Sequence, residues 1–414
     1  MRHFYLTYLL LFMLMYGAMR AQYNTEFMNY SYTGRSISAN LDFDAGSNGF
    51  TNSLTNKLLF GGYIDNTLKK DASKGLKFKN NFGLALNYGL TAFVKGNERF
   101  DFIIGFKEQQ ILNATYTRDF FNLMFYGNAM YLGQTANLSN CNVNALSFQE
   151  VKFGAILHKF DSVAKIGISI SFLKGQQLFY IKTNRNSSLY TSADGSEIFF
   201  NSNFNMAVSD PNKKTLGSFN GIGAAADIYF ETPYKNKWGK KNVLIVNANN
   251  IGFIHWQNNS VQYSSDSTFR YSGYRINTLS DLKDSTLDKL KSDSLLRRLA
   301  NKRKENFNVN IPANLLIINK IYLNEAFALS AGFRYIFNAN YRPYIFLEPE
   351  YHYKKVYFVF HAGYGGYALL NVGASLVWNC KSIFLKAGSN GLQGYLFPKI
   401  GYGQGLFFSL AKKF

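Results

Sequence analysis

The residue types best suited to acid–base chemistry lie in the stretch RPYIFLEPEYHY, residues 342–353. Glu348, Glu350 and His352 alternate there with apolar residues, so on a strand they would share one face. Two carboxylates beside an imidazole could move protons. An internal salt network that includes Arg334 is the favoured interpretation, because nothing nearby supplies a nucleophile or a metal-ligand spacing. The remaining candidates, His158, His255 and His361, are scattered. The sequence predicts no catalytic residue and no metal site.

Two short motifs resemble binding loops. GIGAAAD, residues 221–227, imitates a dinucleotide fingerprint, but DIYF follows it as strand where the fingerprint requires a helix. DFDAGSNG, residues 42–49, has the oxygen density of a calcium loop, yet Ser53 occupies the position of the closing Glu. We therefore expect a turn at 42–49, and no cofactor.

The N-terminus has the pattern of an export signal. Residues 1–21 combine Arg2, a short apolar run and small residues before Ala21, which predicts a secretory signal peptide. No later apolar stretch approaches the length of a membrane helix. The net charge of +20 suits an envelope rich in phosphorylated lipid, and no aromatic–basic platform for nucleic acid is apparent. Cys141 and Cys380 are expected to be free thiols.

Alternation with period two is the dominant pattern of the chain. In Phe82–Val94 every second residue is bulky and apolar, and the residues between are small or polar. The next segment places Arg99, Asp101 and Lys107 opposite a row of aromatic and aliphatic residues. Such segments reach 10 to 13 residues, longer than ordinary soluble strands and matched to the ~9–11 tilted residues that cross a bilayer. The pattern predicts an all-β transmembrane outer-membrane barrel.

Fourteen alternating segments are predicted, with an uncertainty of two. They are 81–94, 98–112, 118–133, 143–158, 163–182, 218–230, 243–257, 307–318, 323–337, 342–352, 354–363, 368–379, 381–388 and 404–414. The connections 133–142, 183–217, 258–306 and 389–403 are assigned to the outer side because they are long, and the short turn at 95–97 is the exception. A separate hairpin, 187–192 with 195–208, is expected inside 183–217.

Two regions interrupt this pattern. Residues 22–80 are predicted to be an N-terminal segment that plugs or skirts the lumen, with the barrel at 81–414. Residues 278–305 change to helical spacing of leucines, which predicts a helical insert in an outer loop.

The end of the chain, GLFFSLAKKF, fits a final barrel strand. Leu406, Phe408, Leu410 and Phe414 would contact lipid, and the residues between them would face inward. The terminal Phe414 fits the signal that barrel-assembly machinery recognises, although Lys412 departs from the usual pattern. Outer-membrane lipid and that machinery are the expected partners.

Two prolines lie within a predicted strand. A closed barrel has no edge strand, so Pro343 and Pro349 must each remove a ladder hydrogen bond. A strand bend is favoured, and a wall defect through which a ligand leaves stays open as the alternative.

Several stretches carry a resemblance to a known family. They are IGFIHWQNNSVQY (251–263), FRYSGYRI (269–276), FNVNIPANLLI (307–317) and LVWNCKSIFLKAGSNGL (376–392). Together they resemble an uncharacterised family of Bacteroidota outer-membrane β-barrel proteins, architecturally similar to FadL-like transporters and to barrel components of type IX secretion. The resemblance implies fourteen strands and an N-terminal plug. It implies no reaction.

Two functions stay open at this point. The first is passage of a small hydrophobic molecule through a non-enzymatic barrel. The second is an accessory or scaffold role in which the outer loops and the insert bind a secreted or surface protein. No enzyme activity is predicted.

Overall fold

The computed structural model describes residues 33–158, 164–213, 215, 217–235, 239, 241–257, 259–272 and 300–414. The predicted signal peptide and most of the predicted helical insert lie outside these residues. Fourteen antiparallel strands form a closed ring, so the predicted fold class and strand number are confirmed. The first strand closes the ring, because Ser36 is opposite both Phe93 and Lys413.

The ring strands follow one another around the barrel in chain order. They are β1 Ser36–Ser47, β2 Lys79–Lys95, β3 Phe100–Thr117, β5 Asn142–His158, β6 Lys165–Thr183, β9 Gly221–Lys235, β10 Lys241–Trp256, β14 Ala313–Tyr322, β15 Phe327–Phe337, β16 Arg342–Tyr353, β17 Val356–Gly366, β18 Leu369–Asn379, β19 Ile383–Ser389 and β20 Gly403–Lys413. A short strand, β13 (Phe307–Asn310), precedes β14 and pairs with β10. We call the end with the start of β1 the terminal end, and the opposite end the loop end.

Five further strands build a side sheet at the loop end. They are β4 Gln134–Asn137, β7 Ser188–Thr191, β8 Ile198–Val208, β11 Val261–Tyr271 and β12 Asn301–Lys304. The hairpin of β7 and β8 confirms the predicted one, and it lies outside the ring. Residues 301–304, assigned to the helical insert from the sequence, are strand because they pair with β11.

The wall is taller on one side than on the other. The ring strands from β2 to β10 have 15 to 19 residues, whereas those from β14 to β20 have 7 to 12. A bilayer needs only ~9–11 tilted residues, so the tall strands continue beyond it. Large apolar side chains are exposed on the outer face in a belt. Its members include Leu90, Val94, Phe102, Ile104, Phe106, Ile166, Ile168, Ile170, Phe172, Phe358, Phe360 and Leu410.

Three helices pack against the outside of the tall wall and form what we call the collar. They are α1 Asn52–Phe60, α2 Asn66–Lys74 and α3 Arg118–Tyr126. A 3-10 helix, Asn128–Tyr131, follows α3, and a one-turn helix α4, Gln393–Leu396, precedes β20. Phe50 joins the collar to the wall, with ring centroids 5.6 Å from Phe82 and 5.8 Å from Tyr116. Both partners lie on outer-face positions of unbroken strands.

These elements correct the interpretation of residues 22–80. Its described part, 33–80, contributes wall strand β1 and collar helices, and those helices pack outside the wall rather than in the lumen. The segment DFDAGSNG begins as strand, not as a turn: Asp42 and Asp44 belong to β1. The sequence contains the alternation Ile37, Ala39, Leu41, Phe43, but small residues weaken it.

The predicted strand at 118–133 is wrong. The Thr117 hydroxyl oxygen accepts a hydrogen bond from the Phe120 amide (3.0 Å) and caps α3, and Gly127, with φ 80°, ends it. With β1 in the ring in place of this segment, the count stays at fourteen. Each connection before residue 118 then lies at the opposite end of the barrel from the one predicted. The short turn at 95–97 therefore lies at the terminal end, and the apparent exception disappears.

The lumen is filled by side chains of the wall itself. Apolar clusters occupy several levels, one around Trp256 and another around Tyr344 and Phe346. Wall glycines make room for rings: a Cβ at Gly332 would lie 2.1 Å from the Phe346 ring, and one at Gly83 would lie 2.1 Å from the Tyr367 ring. Within the described ranges, no helix combines the length and the apolar character needed to cross a membrane.

Candidate functional site

A cavity of 460 Å³ opens at the loop end of the lumen. Of the ten residues that line it, seven are asparagine. Asn308 and Asn310 lie on the outer face of β13, since they pair with His255 and Phe253, so that strand lines the cavity with Val309 and its main chain. The other five asparagines contribute side chains: Asn113, Asn142, Asn144, Asn338 and Asn340. We call this cavity the amide cup.

The cup is assembled from opposite walls. Asn113 on β3 is the cross-strand partner of Asn144 on β5. The turn between β15 and β16 lies across the mouth. The Asn340 side-chain amide donates to the Asn113 side-chain oxygen, Oδ1 (3.3 Å). Asn338 has φ 55°, a conformation that asparagine tolerates, and its amide donates to the Ile311 carbonyl (3.1 Å). The turn is thus held over the lumen by amide hydrogen bonds.

Part of this hydrogen-bonding capacity is not used within the protein. Among the described residues, the Asn113 Nδ2, the Asn142 Oδ1 and the Asn144 Oδ1 are buried and have no hydrogen-bond partner. Asn113 is 1% exposed and Asn144 is 7% exposed. No charged residue is among the ten that line the cup in the described part of the chain. The cup therefore offers donors and acceptors without net charge.

An apolar floor lies beneath these amides. Tyr180 and Val309 line the cup and pack on a buried cluster that contains Phe148, Ile254 and Trp256. Trp256 is fully buried. A polar rim above an aromatic and aliphatic floor is the common composition of small-molecule pockets, and the volume lies within their usual range of ~300–1,000 Å³.

A layer of paired charges crosses the middle of the lumen. The Lys152 ammonium lies 2.5 Å from an Asp227 oxygen and 3.2 Å from a Glu150 oxygen, and the Lys107 ammonium lies 3.7 Å from Glu150. We call Lys107, Glu150, Lys152 and Asp227 the charge layer. Two cations balance two carboxylates, so the layer is neutral as a whole. Lys107 was predicted from the sequence to face the lumen. The other three members of the layer were not singled out.

A bulge in β10 ties the charge layer to the next strand of the ring. The register of β9 with β10 shifts between Ala248 and Ile251, and Asn250 there has φ 59°. The Asn250 main-chain amide donates to Asp227 (2.8 Å), and its side chain donates to Gln109 (3.1 Å). Gln109 in turn donates to Glu150 (2.8 Å). This network links β3, β5, β9 and β10 on one side of the lumen.

A smaller cavity of 120 Å³ lies beside the cup and shares Ala339 with it. Arg334 lines this cavity together with Asp42 and Asp44. The Arg334 Nε donates to the Asn314 side-chain oxygen (2.7 Å), and its guanidinium carbon lies 5.5 Å from the Tyr341 ring centroid.

The two carboxylates of the predicted cluster on β16 have different hydrogen-bond partners. Glu350 accepts from the Lys320 ammonium (2.7 Å) and contacts His352. Glu348 is bonded to His361 (3.0 Å), whose other ring nitrogen is bonded to the Tyr344 hydroxyl (2.6 Å).

Arg334 was expected to join the network on β16. Its cross-strand partner is Tyr344, whereas Glu348 is opposite Ser330, two inward-facing positions further toward the terminal end. Arg334 lines the smaller cavity, and its membership in one network with Glu348, Glu350 and His352 stays a prediction.

The two prolines disturb the wall between β16 and β17. The register shifts by one residue next to Pro343, between Arg342 and Ile345. Pairing stops again after Leu347 and resumes at Glu350, which leaves Glu348 and Pro349 outside the ladder with β17, although β15 and β16 stay in register there. Pro343 thus lies at a bulge, and Pro349 lies at an interruption of the ladder.

The remaining candidates lie near the terminal end. Arg99 is exposed in the turn before β3 rather than in the lumen, because Asn97 bonds the amides of that turn. Asp101 is buried and accepts from the Arg35 side chain (3.1 Å). Phe414 is exposed, and its amide donates to the Arg35 carbonyl (3.1 Å). In the described part of the chain, no three His, Cys, Asp or Glu side chains are grouped as a metal would require.

The asparagines of the cup were missed by reasoning from the sequence, although a signal was present. Asparagine recurs with period two in NVN at 142–144 and NAN at 338–340. On a barrel strand such a spacing places both amides on one face.

Several solved structures are similar to this chain in fold. A mutant of the monoaromatic hydrocarbon channel TodX has a TM-score of 0.47 and 11% identity over 94% of this chain and 92% of that chain. The Ralstonia pickettii toluene transporter TbuX has a TM-score of 0.40 and 12% identity over 92% of this chain and 90% of that chain. The Pseudomonas putida toluene transporter TodX has a TM-score of 0.37 and 8% identity over 91% and 87%. At these values the likenesses say nothing about what this chain carries.

Sequence comparison identifies a family but no curated relative. No curated protein matches this sequence. A family model described as a family of unknown function matches residues 27–388. This range contains the ring strands from β1 to β18 and all of β19 except its last residue. The chain therefore belongs to this family, DUF5723.

Proposed function

We propose that this protein is a non-enzymatic outer-membrane barrel that admits a small molecule from the loop end into a lumen that is closed at rest. The observation that carries the proposal is the amide cup, an open cavity of 460 Å³ above a layer of buried ion pairs in the lumen. The exposed apolar belt supports a membrane location, because a soluble protein of this size would not leave so many large apolar side chains in water.

The charge layer argues for gated passage rather than an open pore. Lys152 is 2% exposed and Glu150 is fully buried, so water and ions do not reach them freely in this state. A molecule that enters the cup must displace side chains to go further. We propose the interrupted ladder at Pro349 as a lateral route toward the membrane for a cargo with apolar surface.

The proposal is tested by mass spectrometry of the native protein after gentle extraction from its outer membrane. We expect a stoichiometric small molecule with an apolar part to remain bound. Extraction of the Asn144→Leu variant under the same conditions serves as the matched comparison, because the bound amount must fall if the molecule occupies the cup. A stoichiometric polypeptide in place of a small molecule would contradict the proposal.

An accessory role is the second candidate, and the side sheet at the loop end favours it. β12 is exposed along its whole length and carries Lys302, Arg303 and Lys304. Such a basic projection could contact another protein. Deletion of residues 278–299 should abolish co-purification of a polypeptide partner if this role is correct, and should leave a bound small molecule in place if it is not.

A further inference from the structure

The chemistry of the amide cup defines the ligand more closely than the fold does. Carboxamide side chains donate and accept hydrogen bonds at the same time, and they carry no charge. A charged ligand would lose its hydration in the cup without gaining a counter-ion, which is costly. A pure hydrocarbon would leave buried amide atoms without partners, and a site built for hydrogen bonds discriminates strongly against such analogues.

The three unpartnered amide atoms point to the same class of ligand. The Asn113 Nδ2 is a donor, and the Asn142 and Asn144 Oδ1 atoms are acceptors, so a matching ligand carries both functions on neighbouring atoms. A hydroxyl group is donor and acceptor in one atom. The apolar floor with Tyr180 and Val309 suits the carbon face of a sugar ring.

We propose that the amide cup binds an uncharged glycosyl group of about disaccharide size. This inference rests on the proposed function, because it names the chemical class that the same mouth recognises. The glycosyl group has two conceivable sources, a free saccharide or the head group of a neutral glycolipid. A neutral glycolipid would place its sugar head group in the cup, and its lipid chains would be the apolar part of the cargo proposed above.

The experiment is isothermal titration calorimetry on the full chain in lipid nanodiscs, prepared with a zwitterionic detergent so that no glycoside is present. The probes are maltose, cellobiose, a short alkyl maltoside below its micelle concentration, an anionic disaccharide with one uronic acid, and an alkyl phosphocholine of the same chain length. We expect saturable binding of at least one neutral glycosyl probe, and binding at least tenfold weaker for the anionic and phosphocholine probes. Saturation by a free disaccharide would identify the saccharide source, and saturation by the alkyl maltoside alone would identify the glycolipid source.

Variants separate recognition from folding. Asn144→Leu removes an acceptor from the cup and should weaken binding at least tenfold. Its stability should not fall, because replacing an unsatisfied buried amide by an apolar group carries little cost. Asn301→Leu is the matched control, since Asn301 is exposed on β12 of the side sheet and does not line the cup. It should bind as the original protein does, and heat-modifiable electrophoretic mobility verifies that both barrels are folded.

Three results would overturn the inference. They are the absence of saturable binding by every neutral glycosyl probe, equal affinity for the phosphocholine probe, and unchanged affinity in Asn144→Leu. The proposed function fails separately, because it concerns passage: sugar binding without any co-extracted small molecule would contradict transport and leave the cup as a receptor site.

Discussion

Among single residues, Lys152 has the most demanding position in the lumen. Its ammonium group is almost completely buried and contacts two carboxylates, at 2.5 Å and 3.2 Å. Ser171 and Gln109 donate further hydrogen bonds to Glu150, so each charge has several partners. A buried ion pair of this kind is costly to break from one side, because the partner charge stays behind in a poorly solvated place.

We therefore expect Lys152→Met to destabilise the barrel by about 3–5 kcal/mol. Denaturant unfolding in lipid vesicles would measure this change. The triple variant Lys152→Met, Glu150→Gln, Asp227→Asn removes the charges together and should regain most of the loss. The exposed Lys95→Met is the control and should have little effect. A Lys152→Met barrel as stable as the original would show that the ion pairs of the charge layer do not stabilise the fold.

The two thiols should differ in reactivity. Cys141 is buried just before β5, and burial raises the pKa of its thiol, which lowers the fraction of reactive thiolate. Cys380 is partly exposed in the turn after β18. With a thiol reagent at pH 8 we expect Cys380 to react first and Cys141 only after unfolding. Separate Cys141→Ser and Cys380→Ser variants assign the two phases, and a fast reaction of Cys141 would contradict its burial.

Some residue roles could be predicted from the sequence and others could not. Alternation along one strand is local, so Asp101 and Lys107 were separated correctly from the apolar face of β3. The partners of Arg334 depend on the register between β15 and β16, which no local pattern contains. The charge layer likewise joins β3, β5 and β9 through residues far apart in the chain.

Among the elements, the halves of the ring strands nearer the terminal end follow the sequence pattern most closely. Their outer faces contact lipid and therefore must be apolar at every second position. At the loop end this constraint disappears, because the collar and the side sheet replace lipid. That difference explains why the aromatic segment of α3 was interpreted as a strand: its capping residue Thr117, not its hydrophobic pattern, determines the helix. β1 was missed for another reason, because small residues weaken its alternation.

Glycines within the wall have a packing role that can be tested. A Cβ at Gly332 would lie 2.1 Å from Phe346, whose ring is held between Tyr344 and His361. Gly332→Ala should therefore destabilise the barrel by about 1–3 kcal/mol through overpacking. Gly105→Ala is the matched control, since a Cβ there meets nothing nearer than 3.6 Å. Equal unfolding midpoints for the two variants would contradict this packing.

The collar should contribute to stability through Phe50. This side chain is 6% exposed and contacts both Phe82 and Phe121. Phe50→Ala leaves a cavity between collar and wall, and we expect a loss of about 3–5 kcal/mol in denaturant unfolding. Phe78→Ala is the control, because Phe78 is 74% exposed. A small effect of Phe50→Ala would indicate that the collar is only loosely attached.

In the whole molecule, three levels follow one another from the loop end toward the terminal end: the amide cup, its apolar floor and the charge layer. We propose that the first admits a ligand and that the buried side chains of the last restrict the flow of ions. The closed architecture was predictable because most of the strands repeat the same signal. The strand number was right because the missed β1 and the wrongly predicted strand at 118–133 cancel. The filled lumen was not predictable, because interior side chains pack against partners on opposite walls, and only the three-dimensional arrangement brings them together.

The most direct test of this account is single-channel conductance of the purified full chain in a planar bilayer. A lumen closed by wall side chains predicts no steady ion current at moderate voltage, with at most brief, small openings. Reconstitution is verified independently by the electrophoretic shift of the folded barrel recovered from the same vesicles. Large and steady pores in the unmodified protein would contradict the closed lumen and with it the proposed gated passage.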